Sequence, residues 1–335
     1  MKAALLTRPK QLTVVDDWPE PELTPDSVMV QLTGLGICGS DLALWSGRRP
    51  PTESPWIVGH EGIGHIVRVG DAVSARSVGE RVVIEPNYPC GRCSACRAGR
   101  TSTCPYRVIV GINAPGFLRE RVAVPAQFAW PAPDGVSDAD LVCTEPLAVA
   151  RSAVNTSGLV GGDRCLVIGA GSQGLLVCQL AIALGAEVAV IEPHPGRLEL
   201  AQRLGAVPVA PGEARYPSVF ETSGSGDGIR SAVSLVEPGG TVILIGIPHA
   251  DVPISIASIV RQQVRVIGSL IYDHPTDFRE TIGLLAARTV TPSTILGPPS
   301  DFASVSEAMA DAAGVAGKSW ISFPDADHGG AAPGG

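Results

Sequence analysis

The chain has 335 residues, of which 45% are hydrophobic and 17% charged, and a formal net charge of −8. That length suits about two domains, and the composition suits packed globular protein, not disorder. The acidic balance gives no electrostatic basis for nucleic acid or an anionic membrane as a partner. The apolar run within Met1–Arg8 is too short for a secretion signal. The most apolar window, Leu175 to Ile191, is interrupted by Gln179, Gly185 and Glu187, which predicts a helix and then a strand, not a membrane span. Eight cysteines without a secretion signal point to metal ligands and core thiols, and to the cytoplasm.

In chain order, residues 1 to about 147 are expected to be β-rich. Short apolar runs at Leu12–Val15, Val28–Leu32, Gly64–Val69, Arg81–Ile84 and Glu120–Val124 are separated by Pro, Gly and Asp clusters. Turns at this density predict a small, partly closed barrel with chemistry on its loops. Pro131-Ala132-Pro133-Asp134-Gly135 ends that region, and a helical stretch through Leu147 follows. From Gly161 the texture changes to strands alternating with helices: strand Cys165–Ile168, helix Gly174–Leu184, strand Glu187–Ile191. Strands at Val207–Val209, Val219–Glu221, Thr241–Ile245 and Val264–Ile267 continue a parallel, doubly wound sheet.

Only Pro211 to Pro217 joins the third of these strands to the fourth. Seven residues reach at most roughly 23 Å, and crossing three strand spacings uses about 14 Å. The join is therefore expected to be extended, without a helix. Beyond Asp277 the pattern predicts a helix (Phe278–Ala287), a short strand around Ile295, a helix (Val305–Ala312) and a last strand, Trp320–Phe323. The Gly/Ala/Pro-rich tail, Asp325–Gly335, has the composition of disorder.

Three sets of residues carry chemistry. Gly169-Ala170-Gly171-Ser172-Gln173-Gly174 follows an apolar strand, opens a helix, and is answered by Glu192 at the end of the next strand. That context is what a dinucleotide site requires: the glycines admit the pyrophosphate, whose charge meets the helix N-terminus. Glu192 can accept hydrogen bonds from ribose hydroxyls and would repel a 2′-phosphate, which favours NAD over NADP, with Arg197 nearby as a counterweight. Cys90, Cys93, Cys96 and Cys104 have the spacing of a closed four-thiolate zinc site, although four thiolates also hold iron–sulfur clusters. Cys38, His60 in Gly59-His60-Glu61, and Glu145 in Thr144-Glu145-Pro146 bring together the thiolate, imidazole and carboxylates of a catalytic zinc site with one open position.

Taken together, these motifs resemble the zinc-dependent medium-chain dehydrogenase/reductase superfamily. Glu145-Pro146-Leu147 is closest to its polyol branch, which includes sorbitol, threonine, glucose and 2-deoxy-scyllo-inosamine dehydrogenases. The resemblance implies an α/β fold in which a Rossmann domain (residues 148–284) is inserted into a GroES-like catalytic domain (1–147 and 285–324) bearing a structural zinc lobe (88–106). It implies two zinc ions per chain, one on the four cysteines and one on Cys38, His60 and either Glu61 or Glu145, with Asp41 holding the imidazole in orientation.

The implied reaction is alcohol–ketone interconversion on a polyol, cyclitol or sugar-like substrate. Zinc lowers the pKa of the bound alcohol, Ser40 takes the proton, and hydride passes to NAD. Where many relatives have a histidine relay, this chain has Ala43. Pocket loops are expected at Leu44–Trp56, Ile109–Phe117 and Leu270–His274. They hold Trp45, Arg48, Arg49, Asn113, Tyr272, Asp273 and His274, polar groups that suit a polyhydroxylated or charged substrate, although any one of them is at least as readily a loop residue facing solvent. A homodimer or homotetramer is implied through the last strand of the doubly wound sheet. The rivals are a reductase acting mainly on an activated carbonyl and a nucleotide-binding member that has lost catalysis.

Overall fold

Two sheets carry the molecule, and the long strand Ser27–Gly36 is the spine of the first. The computed structural model describes residues 1–210, 212 and 214–324. Strands β1 (Ala3–Arg8) and β2 (Gln11–Val15) pair as an antiparallel hairpin. Next come β3 (Ser27–Gly36), helix α1 (Gly39–Trp45), β4 (Glu61–Val69), β5 (Arg81–Ile84) and the short β6 (Asn87–Tyr88). A loop follows, bearing the single turn α2 (Ser94–Arg97), then β7 (Val108–Ile109), β8 (Arg121–Pro125) and β9 (Ala129–Pro131).

On one side β3 pairs with β4 along its length. On the other it changes partner, from β8 over Ser27–Gln31 to the C-terminal strand over Gly34–Gly36. The register shift between Leu32 and Gly34 falls at that change, where a bulge bends a strand and lets a sheet curl toward closure. Val28, Met29, Val30, Leu32 and Leu35 of β3 are fully buried, at 0 to 1% exposure.

Helices α3 (Asp138–Leu141) and α4 (Thr144–Ser157) lead into the second sheet. Its elements are β10 (Arg164–Ile168), α5 (Ser172–Ala183), β11 (Glu187–Ile191), α6 (Pro195–Leu204), β12 (Val207–Pro208), β13 (Tyr216–Glu221), α7 (Gly226–Leu235), β14 (Val236–Leu244), α8 (Ile256–Gln262) and β15 (Arg265–Gly268). All its pairings are parallel, in the order β12-β11-β10-β13-β14-β15. The order reverses between β10 and β13, where a doubly wound sheet opens its ligand crevice. The apolar run Cys165-Leu166-Val167-Ile168 has both faces covered, as expected of a central parallel strand. Helix α5 is buried continuously from Gly174 to Ala181 because it lies between the sheet and α4. The chain then runs through α9 (Thr276–Ala286), β16 (Ser300–Asp301) and α10 (Val305–Asp311) to β17 (Trp320–Ser322), which closes on β3. Among the described residues no helix is long and apolar enough to cross a membrane.

The expected strand around Ile295 is not there. Pro292–Ile295 is a 3₁₀ turn with Pro292 at its start, and only Leu296 bridges to Lys318. Proline fixes a turn-like φ and has no amide for a ladder, while Gln179 Nε2 donates to Thr294 Oγ1 at 2.8 Å and holds the turn against α5. The helix expected through Leu147 runs on to Ser157 and stops at Gly158, in the left-handed region at φ +75°. In the join between β12 and β13, Pro211 and Glu213 lie outside the described residues. The others carry no helix, and β13 opens at Tyr216. The tail from Asp325 also lies outside them.

Candidate active site

Helix α1 is capped at its start by Cys38, whose backbone N–H donates to Asp41 Oδ2 at 3.0 Å, closing the first turn with a side chain three residues on. The other oxygen, Asp41 Oδ1, accepts from Gly59 N–H at 3.0 Å and lies 3.1 Å from His60 Nδ1. One fully buried carboxylate therefore fixes both the helix carrying Cys38 and the loop carrying His60. With Nδ1 engaged, Nε2 is the nitrogen left for a ligand. Burial alone would raise the Asp41 carboxyl. The His60 ring and the two backbone amides outweigh it and hold the group below its ordinary value.

Cys38, His60 and Glu61 each offer a ligand atom within 4.8 Å of the others. Glu61 opens β4, opposite Gly36 of β3, and its Oε1 has no hydrogen-bond partner among the described residues. Its Oε2 is 2.5 Å from Lys318 Nζ, both side chains being almost fully buried. An orphaned carboxylate oxygen beside a thiol and an oriented imidazole is a donor set that fits zinc.

Glu145, in the first turn of α4, is buried close by but outside that cluster. Burial first, then the charges of Glu61 and Asp41, push its carboxyl up to about 7 against the pull of His60 and Lys318. Asn87 Nδ2 donates to Glu145 Oε1 at 3.4 Å and to Tyr272 Oη at 3.0 Å. Cys143, two residues earlier, is a fully buried thiol pushed up to about 12 by burial and is absent from both candidate metal clusters.

The second cluster is Cys90, Cys93, Cys96 and Cys104, whose sulfur atoms all lie within 4.8 Å of one another. Cys90 N–H and Cys96 N–H point at the sulfurs of Cys104 and Cys93, both at 3.4 Å. Amide donors aimed at sulfur stabilise thiolates, which fits a closed tetrahedral ion.

At the crevice of the parallel sheet, Gly169 sits at φ +91° with Ser223 against it, so that a Cβ would approach to 2.9 Å. A Cβ on Gly174 would meet Gly169 O at 1.9 Å. These glycines permit the turn, while the Cβ direction of Gly171 is open space. Helix α5 starts there without a side-chain cap, leaving its first amides for an anion. Glu192 turns back on this loop: its Oε2 accepts from Ala170 N–H at 2.6 Å and its Oε1 from His194 N–H at 2.7 Å. Arg197 Nη2 donates to Ala313 O at 3.1 Å. Gln173 Nε2 donates to Pro146 O at 3.3 Å, so the glycine turn and the Glu145 segment adjoin.

Several expected pocket residues have other duties. Tyr272 is 1% exposed, Asp273 accepts from Ser102 N–H at 2.7 Å, and His274 Nδ1 lies 2.9 Å from buried Glu85. Asn113 closes its own loop by accepting from Ile109 N–H. Arg48 leaves α1's end to meet His249 Nε2 at 2.8 Å, pairing the loop after α1 with the loop after β14. Lys318, Asn87 and Glu85 belong to the site and were not singled out from sequence. The only local signal for Lys318 was a lysine two residues before an apolar strand in a chain whose other lysines are Lys2 and Lys10.

A GroES-like barrel and a doubly wound sheet with a glycine turn beside a Cys/His/Glu cluster define an oxidoreductase of the nicotinamide-dependent alcohol dehydrogenase class. The comparisons agree. Residues 24–134 match the alcohol dehydrogenase GroES-like domain, and residues 174–287 match the zinc-binding dehydrogenase model. The chain belongs to the zinc-type medium-chain dehydrogenase superfamily, in its polyol branch.

Relatives include an L-threonine 3-dehydrogenase of Anaeromyxobacter dehalogenans, 35% identical over 272 residues (75% of this chain, 78% of the relative). The L-galactonate-5-dehydrogenase of Escherichia coli is 28% identical over 324 residues (92% and 94%). Among solved structures, an alcohol dehydrogenase of E. coli CFT073 complexed with NADH superposes with a TM-score of 0.90 at 26% identity, covering 96% of this chain and 99% of that one. A zinc-binding dehydrogenase of Sinorhizobium meliloti bound to NADP gives 0.89 at 28% identity, covering 96% and 98%.

Proposed function

We propose that this chain is an NAD-dependent dehydrogenase holding two zinc ions, which interconverts a secondary alcohol and its ketone on a polyol, cyclitol or sugar-like substrate. The observation that carries it is the convergence of Cys38, His60 and Glu61 within 4.8 Å beside a glycine turn tied to the Glu145 segment through Gln173. Cys38 Sγ, His60 Nε2 and one carboxylate, Glu61 or Glu145, hold the catalytic ion, and the four cysteines hold the structural one. The Lewis acidity such an ion supplies brings the pKa of a bound alcohol toward neutrality.

The chain's own groups do the rest. Asp41 keeps the His60 ring in its ligating orientation, and Ser40, half-buried on the first turn of α1, accepts the alcohol proton. Glu61 is restrained through Oε2 by Lys318 and Glu145 through Oε1 by Asn87, so each keeps one carboxylate oxygen to offer the ion. Glu192 offers acceptors to the ribose of NAD and a like charge against a 2′-phosphate, while Arg197 is engaged with Ala313. The relatives named for sugar acids and threonine support a polar substrate. Pairing of two copies along β15, the edge of the six-stranded sheet, gives a homodimer or homotetramer, which light scattering after gel filtration measures.

The test is metal content together with turnover. Purified protein is expected to hold two zinc ions and to form NADH from NAD with at least one member of a panel of alditols, inositols, amino-cyclitols and sugar acids. One ion in the four-cysteine lobe alone, with no turnover in either direction, would reject the proposal.

A further inference from the structure

The four-cysteine lobe lies in a loop between β6 and β7, and a closed metal site offers no position for substrate. Its placement nonetheless bears on the catalytic residues. Ser102 N–H donates to Asp273 Oδ1 at 2.7 Å. His274 N–H donates to Thr101 Oγ1 at 2.7 Å, and that hydroxyl has the His274 carbonyl at 3.2 Å to donate to. Thr101 and Ser102 stand three and two residues before Cys104, so the lobe grips the segment 272–274 directly at Asp273 and His274.

From that segment two connections run to Glu145. Tyr272, next to Asp273, receives Asn87 Nδ2 on its hydroxyl at 3.0 Å, and the same amide reaches Glu145 Oε1 at 3.4 Å. On the other side, Asp273 N–H donates to Asp277 Oδ2 at 2.8 Å. Asp277 Oδ1 in turn accepts from Arg151 Nη1 at 3.0 Å, and Arg151 belongs to α4, whose first turn carries Glu145. Both routes pass through Asp273 or its neighbour, and both are largely screened from water. Tyr272 and Asn87 are buried, and the Arg151–Asp277 side chains are 15% and 16% exposed. In such an environment a lost partner leaves a polar group unsatisfied, so rearrangement at one end is felt at the other.

We propose that Asp273 is a positioning residue through which the four-cysteine lobe sets the place of Glu145 in the catalytic site. The lobe metal then orders Thr101 and Ser102, these hold Asp273, and the two hydrogen-bonded routes fix the Glu145 carboxylate and the first turn of α4. The proposal rests on the reading of Glu145 as part of the metal site, and its test reads structure as well as turnover.

The full-length chain is loaded with zinc in the lobe and cobalt(II) in the catalytic site, and Asp273→Ala, Asp273→Asn and Thr101→Val are compared with the parent. Asp273→Ala is expected to lower kcat about tenfold with KM for NAD within twofold. It should also shift the visible cobalt absorption and speed about tenfold the hydrogen exchange of the Leu147 amide, which is bonded to Cys143 O at 2.9 Å, with lobe zinc retained. Asp273→Asn keeps an acceptor for Ser102 N–H and should recover most of each loss. Thr101→Val, nearly isosteric, should move every readout in the same direction by less, and carries the test if Asp273→Ala does not fold. An unchanged cobalt spectrum and unchanged Leu147 exchange in both Asp273→Ala and Thr101→Val would overturn the proposal, whatever the turnover. If no substrate turns over at all, the spectrum and the exchange still decide it, so its failure and that of the dehydrogenase reading are told apart.

Discussion

Lys318 Nζ lies 2.5 Å from Glu61 Oε2, and neither side chain is more than 1% exposed. The same ammonium donates to Ile37 O at 3.0 Å, the carbonyl just before Cys38. A lysine from the end of the chain thus fastens the residue before one ligand and the residue after another, His60. Burying two charges costs several kcal/mol per ion, which attraction alone need not repay. Here the cost is offset by the backbone bond and by the geometry it imposes on a metal site. Gly36 leaves room for the pair: a Cβ there would sit 2.0 Å from Glu61 Oε2 and 3.1 Å from the Lys318 side chain.

Lys318→Met keeps most of the apolar stem and removes the charge. It should destabilise the metal-free chain by about 3–5 kcal/mol, the usual cost of stranding one member of a buried pair. Gly36→Ala should act on the same pair by overpacking, with a loss of about 1–3 kcal/mol. In both variants the catalytic zinc is expected to fall below one per chain while the lobe zinc remains. Denaturant titration and metal analysis check this. Unchanged stability with two zinc ions in both variants would mean that the pair does not hold the site.

The metal-free chain should lose stability as pH rises from about 4.5 to 7. Glu145 is raised from 4.5 to about 7, chiefly by burial, so over that window the folded state keeps a proton that the unfolded state has released. The stabilisation is complete below 4.5 and gone above about 7, a span worth roughly 3 kcal/mol at 1.36 kcal/mol per unit. His60 adds the same sign. Burial opposes its charging but Asp41 and Cys38 raise it well above 6.5, so its contribution is present below 6.5 and declines as pH climbs through the folded value. Asp41, held low, acts in the opposite sense only below its ordinary 3.8. Metal ligands must shed these protons, so the zinc-loaded protein should lack the downward slope. Thermal melts of both forms at pH 5, 6, 7 and 8 measure it, and identical slopes would contradict the assignment.

Much of this architecture was legible because its signals are local. The four-cysteine spacing, the glycine turn answered by Glu192, and Cys38-Gly39-Ser40-Asp41 each lie within a few residues or one strand–helix–strand unit, where backbone geometry dictates residue type. Asp41 was expected to orient His60, and the structure adds that it also closes the first turn of α1. Lys318 was invisible because its partner is Glu61, brought close only when β17 returns to β3, and no periodicity encodes that encounter. Tyr272 and Asp273 were placed on an expected pocket loop, open to substrate or to solvent. Tertiary contacts gave them other partners: the lobe's Ser102 for Asp273, and Asn87 for the buried Tyr272. Ile295 failed as a strand because an apolar side chain suits a buried position in a turn as well as in a strand, and Pro292 decided for a turn.

Glu192 has a structural duty before any cofactor arrives, since its two oxygens take the amides of Ala170 and His194. Glu192→Ala should therefore cost about 1.5–3 kcal/mol for bonds to a charged acceptor and raise KM for NAD about tenfold. Glu192→Gln can accept from only one of the two amides, because its own NH₂ meets the other donor, and should fall between. Both should narrow the preference for NAD over NADP. Arg197→Ala, which removes a group bonded to Ala313 O, should leave that preference within about threefold. Steady-state kinetics with both cofactors check the set; a parent enzyme that prefers NADP would refute the role given to Glu192.

Ser40 and Ala43 lie one turn apart on α1, so their side chains share a face. If Ser40 accepts the alcohol proton, Ser40→Ala should lower kcat about 100-fold, within the usual range for a lost proton-transfer group, while zinc content and NAD affinity stay as in the parent. Ser40→Thr keeps the hydroxyl and should retain most activity. With alanine at 43 the proton has no side-chain imidazole to pass to, so turnover in the parent should rise with the concentration of a small buffer such as imidazole. Ala43→His places that group a turn away from the hydroxyl and should flatten the buffer dependence without changing KM for NAD. Equal turnover in Ser40→Ala and the parent, measured at saturating substrate, would remove Ser40 from the reaction and leave ordered water or a carboxylate to carry the proton.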